Sequence, residues 1–426
     1  MRLFEHNEKA YHAAIRMMEQ YGKAAIIHPT GTGKSYIAFK LIEDNPEKVV
    51  IWLSPSEYIF KTQLESLKKN DPDFPLANVH FYTYAKLMCC TQAQLEKIAA
   101  QKPAYMILDE FHRAGAECWG ESTVALLKLC PDAKLLGLTA TNIRYLDNNR
   151  DMAEELFDGH IANEMTLGEA VVRGILPAPK YVTTVYQYQK SLAKYQARVN
   201  NLRTPGIQDA NQKYLDALRR ALEQADGLDR VFAHHITNKA GKYIVFCANK
   251  EHMGEMVSHV PEWFDGVNPD VVVYQAYSDD PNTDKAFAEF KTDISDRLKL
   301  LFCIDMLNEG IHVEGISGVI LFRPTISPII YKQQIGRALT AGDTAAPLIL
   351  DVVNNFEGLT SISGLQSEMQ EAVHRLYANG EGDKIVTERF EVIEQVHDCR
   401  VLFEQLQASL SSSWEHYFSE ASIYCA

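Results

Sequence analysis

The stretch Ala24-Ala25-Ile26-Ile27-His28-Pro29-Thr30-Gly31-Thr32-Gly33-Lys34-Ser35 decides the fold. Its first four residues are small or branched and apolar, as in a strand covered on both faces. The glycines that follow let the chain bend so that backbone N–H groups point inward, a cradle for phosphate oxygens. Helix-type apolar spacing runs from Ser35 to Asp44, and a helix N-terminus adds a favourable dipole. In such a loop Thr30, Gly31, Thr32 and Gly33 supply the backbone, Lys34 reaches the β- and γ-phosphates, and the Ser35 hydroxyl ligates Mg2+. His28 stands where the general pattern has its first glycine. A structural glycine turn is the plain alternative, and the strand before and helix after weigh against it.

Working outward, short apolar runs alternate with helical patterns from about residue 24 to 186. Beyond Ile27 they are Val49–Leu53, Val79–Tyr82, Tyr105–Leu108 and Leu135–Leu138. A second series comprises Tyr243–Phe246, Val271–Tyr274, Leu298–Phe302, Val319–Phe322 and Leu348–Leu350. Alternation of this kind implies an α/β fold with doubly wound parallel sheets, here two in tandem. The expected boundaries are a first domain over 1–178, a helical linker or insertion over 179–239, a second domain over 240–355 and a helical C-terminal extension over 356–426. The linker's helix should break near Thr204-Pro205-Gly206, and Gly380-Glu381-Gly382-Asp383 should turn the tail.

A chain of 426 residues exceeds one hydrophobic core, which agrees with that division. No stretch is long and apolar enough to span a bilayer, and the start lacks a signal pattern, so no membrane and a cytoplasmic location are expected. The eight cysteines are scattered without metal-type spacing and read as buried free thiols. A net charge of −14 argues against a broad basic face for duplex nucleic acid, though not against a narrow cleft.

The strand Tyr105–Leu108 runs into Asp109-Glu110-Phe111-His112. Two adjacent acids at the end of a buried strand are costly unless something cationic requires them. Asp109 would hold Mg2+ and Glu110 would orient or deprotonate an attacking water. A solvated turn at a strand end is the bland alternative.

With both motifs in place, the chain resembles the superfamily 2 helicases with DEAD/DEAH-type boxes, and within them the branch of the helicase subunits of type I and type III restriction enzymes. Asp109–His112 matches the DExH form of the box, and Thr139-Ala140-Thr141 the threonine motif that couples hydrolysis to domain movement. Pro55 and Thr83-Tyr84 fit the first domain's strand-contacting motifs. Phe246-Cys247-Ala248-Asn249-Lys250, Asn308-Glu309-Gly310-Ile311-His312-Val313 and Gln333-Gln334-Ile335-Gly336-Arg337 resemble the fourth to sixth motifs, in order. The resemblance implies two RecA-like domains sharing one ATP and Mg2+ site, with Arg337 reaching from the second domain, Gln333 sensing the nucleotide, Gly310 near it, and His112, Thr139 and Thr141 coupling. Asn7 lies where many relatives carry an adenine-reading glutamine.

Three departures stand out. Thr340 occupies the place of a second arginine in the sixth motif, leaving that cation absent or supplied elsewhere, with Arg323 one candidate. Asn308 and His312 replace commoner residues in the fifth motif, and Asn7 is one methylene shorter than glutamine.

The implied partner is DNA, with RNA as the alternative, as a single strand or duplex end contacted through phosphates by Ser54, Ser56, Thr83, Lys250 and Thr325. Each of these could equally be a capping or turn residue. Lys61, Arg113 and Arg144 are weaker candidates, and Tyr188 with the basic helices after it reads as interdomain packing before it reads as an arm. No nuclease constellation stands out, so nuclease or sequence-recognition subunits would be separate. The competing readings are an ATP-gated nucleic-acid clamp and a remodelling subunit.

Overall fold

The computed structural model describes residues 1–114, 117–144, 150–186, 188–277, 280, 282–304, 315–322, 328–341, 345–353 and 363–424. Asn308, Gly310, His312, Arg323 and Thr325 lie outside them.

In the first lobe the apolar runs become β1 (Lys23–Ile27), β2 (Val50–Ser54), β3 (Val79–Thr83), β4 (Tyr105–Asp109) and β5 (Lys134–Thr139). A short antiparallel pair follows, β6 (Ile143–Arg144) and β7 (Arg150–Asp151), and then β8 (Ile161–Glu164). The sheet order is β3-β2-β4-β5-β1-β8, with every pairing parallel. Ile26, Trp52, Ile107 and Leu136 pack on one face and Ala25, Ile51, Met106 and Leu135 on the other. Burial on both faces explains why the strands read as unbroken apolar runs, each large side chain contributing roughly 1.5–3 kcal/mol. Gly137 in β5 is required by packing, because a Cβ there would sit 2.2 Å from the Phe157 ring.

The second lobe holds β9 (Lys180–Val185), β10 (Lys242–Phe246), β11 (Val271–Ala276), β12 (Leu298–Cys303), β13 (Ile316–Leu321), β14 (Leu348–Val353) and β15 (Glu391–Glu394). These pair in parallel in the order β11-β12-β10-β13-β14-β9-β15. Two tandem doubly wound sheets are thus present.

The lobes divide differently from the expected boundaries in three respects. Residues 165–176 pack into the second lobe's core, where Leu167, Ala170, Val171 and Leu176 meet Ile244, Val319 and Leu365. The segment expected to open a helical linker at 179 begins with β9, whose run Tyr181-Val182-Thr183-Thr184-Val185 is aromatic and β-branched and fits a pleated, buried surface. The tail expected to be wholly helical contributes β15, which pairs with β9.

The chain crosses between the sheets over two residues. Glu164 ends β8, the Met165 amide donates to the Ile27 carbonyl of the first lobe (2.9 Å), and the Met165 side chain is buried in the second. Thr166 caps the helix Leu167–Val172.

The remaining helices form a satellite core. Leu192, Tyr195 and Val199 of helix Gln189–Asn200, and Leu215, Leu218 and Leu222 of helix Pro205–Gln224, bury against Phe403, Leu406 and Leu410 of the C-terminal helix His397–Tyr424. Pro205 starts the second of these, as its fixed φ allows at a first helical turn. The plain role weighed for the helices after Tyr188 was packing between the domains, and they pack on the C-terminal helix instead.

Candidate active site

In parallel sheets the loops after the strands' carboxyl ends meet along one edge. Ile27 lies beside Thr139, Asp109 beside Leu138 and Ser54 beside Thr83 in register. One chain edge therefore carries the phosphate loop, the paired acids and the threonine motif.

Gly31 and Gly33 both adopt positive φ, +87° and +77°, which the loop's bend requires. The loop is tied down from the first helix. Asn7 Nδ2 donates to the carbonyls of Thr32 (2.8 Å) and Gly33 (3.2 Å), and His6 Nε2 lies 2.9 Å from the Thr32 carbonyl oxygen. Both amide hydrogens of Asn7 are thus engaged by the loop, while its buried Oδ1 lacks a hydrogen-bond partner. His28 is fully buried with Nε2 2.7 Å from Asn163 Oδ1.

Lys34 pairs with Glu110 at 3.0 Å, both nearly buried. Glu110 sits at φ +48°, ψ +52°, a left-handed conformation that costs a non-glycine residue of order 1–3 kcal/mol and tends to persist where function holds it. Its other oxygen, Oε2, accepts from Thr139 Oγ1 (3.3 Å) and the Ala140 amide (3.4 Å) and lies 3.5 Å from His112 Nδ1. His112 Nδ1 is 2.8 Å from Thr139 Oγ1, which also contacts the Thr141 carbonyl at 2.7 Å. His112 and Thr139 are therefore joined directly to the acid, and Thr141 through Thr139.

Burial raises the Asp109 carboxyl, and the charge of Glu110 raises it further. Burial alone would raise Glu110 too, but Lys34, then His112 and Arg337, outweigh it and hold that carboxylate well below its ordinary range.

Arg337 comes from the other lobe, just after the helix Pro328–Gly336, and is buried. A buried cluster anchors that helix, in which Tyr331 and Asp351 both hydrogen-bond the Tyr181 hydroxyl. Burial lowers the Arg337 guanidinium to about 10, against the opposing pull of Glu110. A single cavity of about 710 Å³ is lined by Thr30, Gly31, Gly33, Lys34, Ser35 and Glu110 on one side and Arg337, Thr340 and Ala341 on the other. The lobes touch beside it. The Ala341 amide donates to the Gly31 carbonyl (2.9 Å), and a Cβ on Gly31 would fall 2.0 Å from the Leu339 carbonyl oxygen.

Other expected residues lie elsewhere. Gln333 lines a separate cleft of about 140 Å³ with Pro29, Thr30, Thr141 and Asn142, sharing Thr30 with the main cavity. Ser54 is fully buried, its hydroxyl 3.5 Å from the Ser56 carbonyl. Ser56 and Thr83 accept from the amides of Ile59 and Lys86 as helix caps. Lys250 is exposed, its ammonium 4.7 Å over the Tyr277 ring.

Sequence reasoning missed Gln63, and it placed Tyr84 only in a strand-contacting motif. Gln63 Nε2 donates to Ser35 Oγ (2.9 Å) and Asp109 Oδ2 (3.0 Å), and the Tyr84 hydroxyl donates to the Asp109 carbonyl (2.9 Å). Gln63 follows the buried Ile59 and Phe60 by four and three positions, so a polar residue on the inward face of a helix was the available signal.

Residues 1–144 match the family described as "Type III restriction enzyme, res subunit", and residues 224–342 match the "Helicase conserved C-terminal domain". The chain belongs to the superfamily 2 helicases. Its first domain sets it beside the res subunits of restriction enzymes. A "51.5 kDa protein" of a Lactococcus phage (isolate 7-9) is 24% identical over 331 residues, 77% of this chain and 65% of the phage protein. Among solved structures, the ATP-dependent Type ISP restriction-modification enzyme LlaBIII bound to DNA superposes with a TM-score of 0.59 at 16% identity, over 96% of this helicase-family chain and 33% of that enzyme. A fragment of a type I HsdR subunit from Vibrio vulnificus YJ016 gives 0.55 at 19% identity, over 92% and 68% of the two chains. S. cerevisiae Dbp5 bound to RNA and ADP BeF3 gives 0.52 at 16%, over 96% and 98%. At these identities the structural likeness is one of fold, that of tandem RecA-like domains. The helicase-family chain thus spans about two thirds of the phage protein's length and a third of LlaBIII. Among the described residues no helix is long and apolar enough to cross a membrane.

Proposed function

We propose that this chain is an ATP-hydrolysing translocase or helicase acting on nucleic acid, with its substrate triphosphate held between the lobes. The observation that carries the reading is one cavity shared by the Lys34 loop and Arg337.

The residues support a sequence of events. Lys34 is held by Glu110 before nucleotide arrives, and the phosphates compete for that ammonium. A Glu110 carboxylate released from Lys34 is an ionised acceptor, suited to orient a water and take its proton. Its Oε2 contacts with Thr139, Ala140 and the nearby His112 give each change at Glu110 a route into the threonine motif. Arg337, buried and charged at neutral pH, neutralises charge that develops on the transferring phosphoryl group.

Ser35 Oγ and Asp109 fit a magnesium ion, and the buried Asp109 Oδ1 has no hydrogen-bond partner. Hard oxygen donors with few protein ligands suit Mg2+ beside a triphosphate, where the ion when bound would draw charge off the phosphate oxygens.

DNA is the proposed track, with RNA tested beside it. Lys250, which opens the helix Lys250–Ser258 after β10, is the strand contact we favour, because Ser54 is buried and Ser56 and Thr83 cap helices. Nuclease or sequence-recognition subunits are proposed as further partners. The test is hydrolysis by the intact chain against single- and double-stranded DNA and RNA at stated salt, with Lys34→Ala and Glu110→Gln. Stimulation lost in both variants is expected, and hydrolysis unchanged in both removes the proposal. An ATP-gated clamp is the second reading, favoured by Thr340 at the cavity wall in place of a second arginine. Strand displacement measured beside hydrolysis separates the two.

A further inference from the structure

The two groups proposed above to hold a divalent cation, the Ser35 hydroxyl and the Asp109 carboxylate, are bridged by one nitrogen, through Ser35 Oγ and Asp109 Oδ2. Gln63 Nε2 stands 2.9 Å from the first and 3.0 Å from the second. Neighbouring oxygens in an octahedral shell with bonds of 2.0–2.1 Å are themselves about 2.9 Å apart. The amide nitrogen therefore stands at the spacing of a neighbouring ligand position in such a shell, so that it and a metal-bound water would compete for one place. The far ends of both partners are unsettled, since Gln63 Oε1 and Asp109 Oδ1 are buried and neither has a hydrogen-bond partner. In a purely structural tie such atoms are almost always paired. Gln63 and Ser35 also both line the main cavity, so the bridge sits where a ligand enters.

We propose that the Gln63 carboxamide is a placeholder for the divalent cation: it holds the Ser35 hydroxyl and the Asp109 carboxylate together while the site lacks metal, and gives them up when metal and nucleotide bind. This rests on the reading of the cavity as a nucleotide site. Gln63 is a positioning residue, touching the metal's ligands and not the substrate. As a donor its NH2 group offsets the buried negative charge of Asp109, the service a cation performs better. On metal entry the released amide can turn over, presenting Oε1 as an acceptor to the water shell. No bond is made or broken in this exchange, only hydrogen bonds.

A placeholder competes with what it replaces, and this sets its effect apart from that of a helper. Gln63→Met keeps length and removes the donor, and Gln63→Ala serves as a second variant if packing fails in the first. Two measurements on the full chain at pH 8 decide the matter. The first is thermal midpoint in EDTA and in saturating Mg2+ with ADP. The variants are expected to melt a few degrees lower than the unmodified chain in EDTA and within about 1 °C of it in Mg2+ with ADP, since linkage restores what the lost donor supplied. The second is Mn2+ binding in the presence of ADP, read from the electron paramagnetic resonance of free Mn2+. The variants are expected to bind about 3- to 10-fold tighter, because no amide need be displaced.

Equal loss of midpoint in both buffers, or weaker Mn2+ binding in the variants, overturns the proposal and leaves the nucleotide site standing. If the unmodified chain itself gains no stability from Mg2+ and ADP, the reading of the cavity fails and the placeholder role fails with it.

Discussion

Replacing Arg337 with methionine separates a functional guanidinium from a structural one. Burial lowers its proton affinity to about 10, even with Glu110 pulling the other way. At about 1.4 kcal/mol per pKa unit, keeping it charged at neutral pH costs the nucleotide-free chain about 3 kcal/mol. The cost is constant at every pH below about 10, so it applies in full under ordinary assay conditions. Methionine fills a similar volume without charge, and Glu110 keeps Lys34 as its partner at 3.0 Å. The thermal midpoint of Arg337→Met is therefore expected to hold or rise by a few degrees. Hydrolysis should fall at least about 10³-fold, the lower end for loss of such an arginine. Scanning calorimetry beside single-turnover hydrolysis gives both numbers. A midpoint lowered by several degrees with hydrolysis within threefold of the unmodified chain would make Arg337 a structural ion and refute the shared-site argument.

Gly31→Ala places a Cβ 2.0 Å from the Leu339 carbonyl oxygen at φ +87°, so the lobes cannot close as they do here. Nucleotide binding measured with a fluorescent analogue should change less than about 10-fold while turnover falls far more, because closure delivers Arg337; equal losses in both would contradict this. The acid limb of stability should depend on His28, whose proton affinity burial lowers to about 4 from 6.5. Between those values the unfolded chain binds a proton that the folded chain refuses, so stability falls as pH drops through the window, by about 2 kcal/mol at pH 5. Chemical denaturation of His28→Gln at pH 7.5 and 5 should show a smaller loss than the unmodified chain, and parallel losses would assign the acid limb elsewhere.

All ten strands expected from apolar runs are present, because burial on both faces leaves little room for polar residues in their middles. β9 and β15 were harder to see. The β9 run lies between helical patterns, and its partner β15 arrives from about 200 residues further on, a pairing that no local pattern encodes. The phosphate loop and the acids were legible because their chemistry constrains neighbouring residues. Gln63 was not, since a lone glutamine gains its meaning from Ser35 and Asp109, which reach it from two other elements. Asn7 shows the opposite limit. Its amide was expected to face a base, whereas its hydrogens go to the carbonyls of Thr32 and Gly33, and only coordinates could tell those acceptors apart. Ser54 likewise kept the right place at a strand end while its side chain turned inward.

In the proposed motor the two-residue passage at Met165-Thr166 would serve as a fulcrum. Because the chain passes between sheets at that point, beside β8 at the edge of the first sheet, the lobes can swing about it more easily than they can draw apart. β1, which leads into the phosphate loop, lies one strand from this edge, and β3, bearing Thr83, lies five strands away. At 4.7–4.9 Å per strand those arms are about 5 Å and about 24 Å long. A small tilt driven near Lys34 would then sweep the far rim through roughly five times the distance, a gearing that trades force at the phosphates for stride along the track.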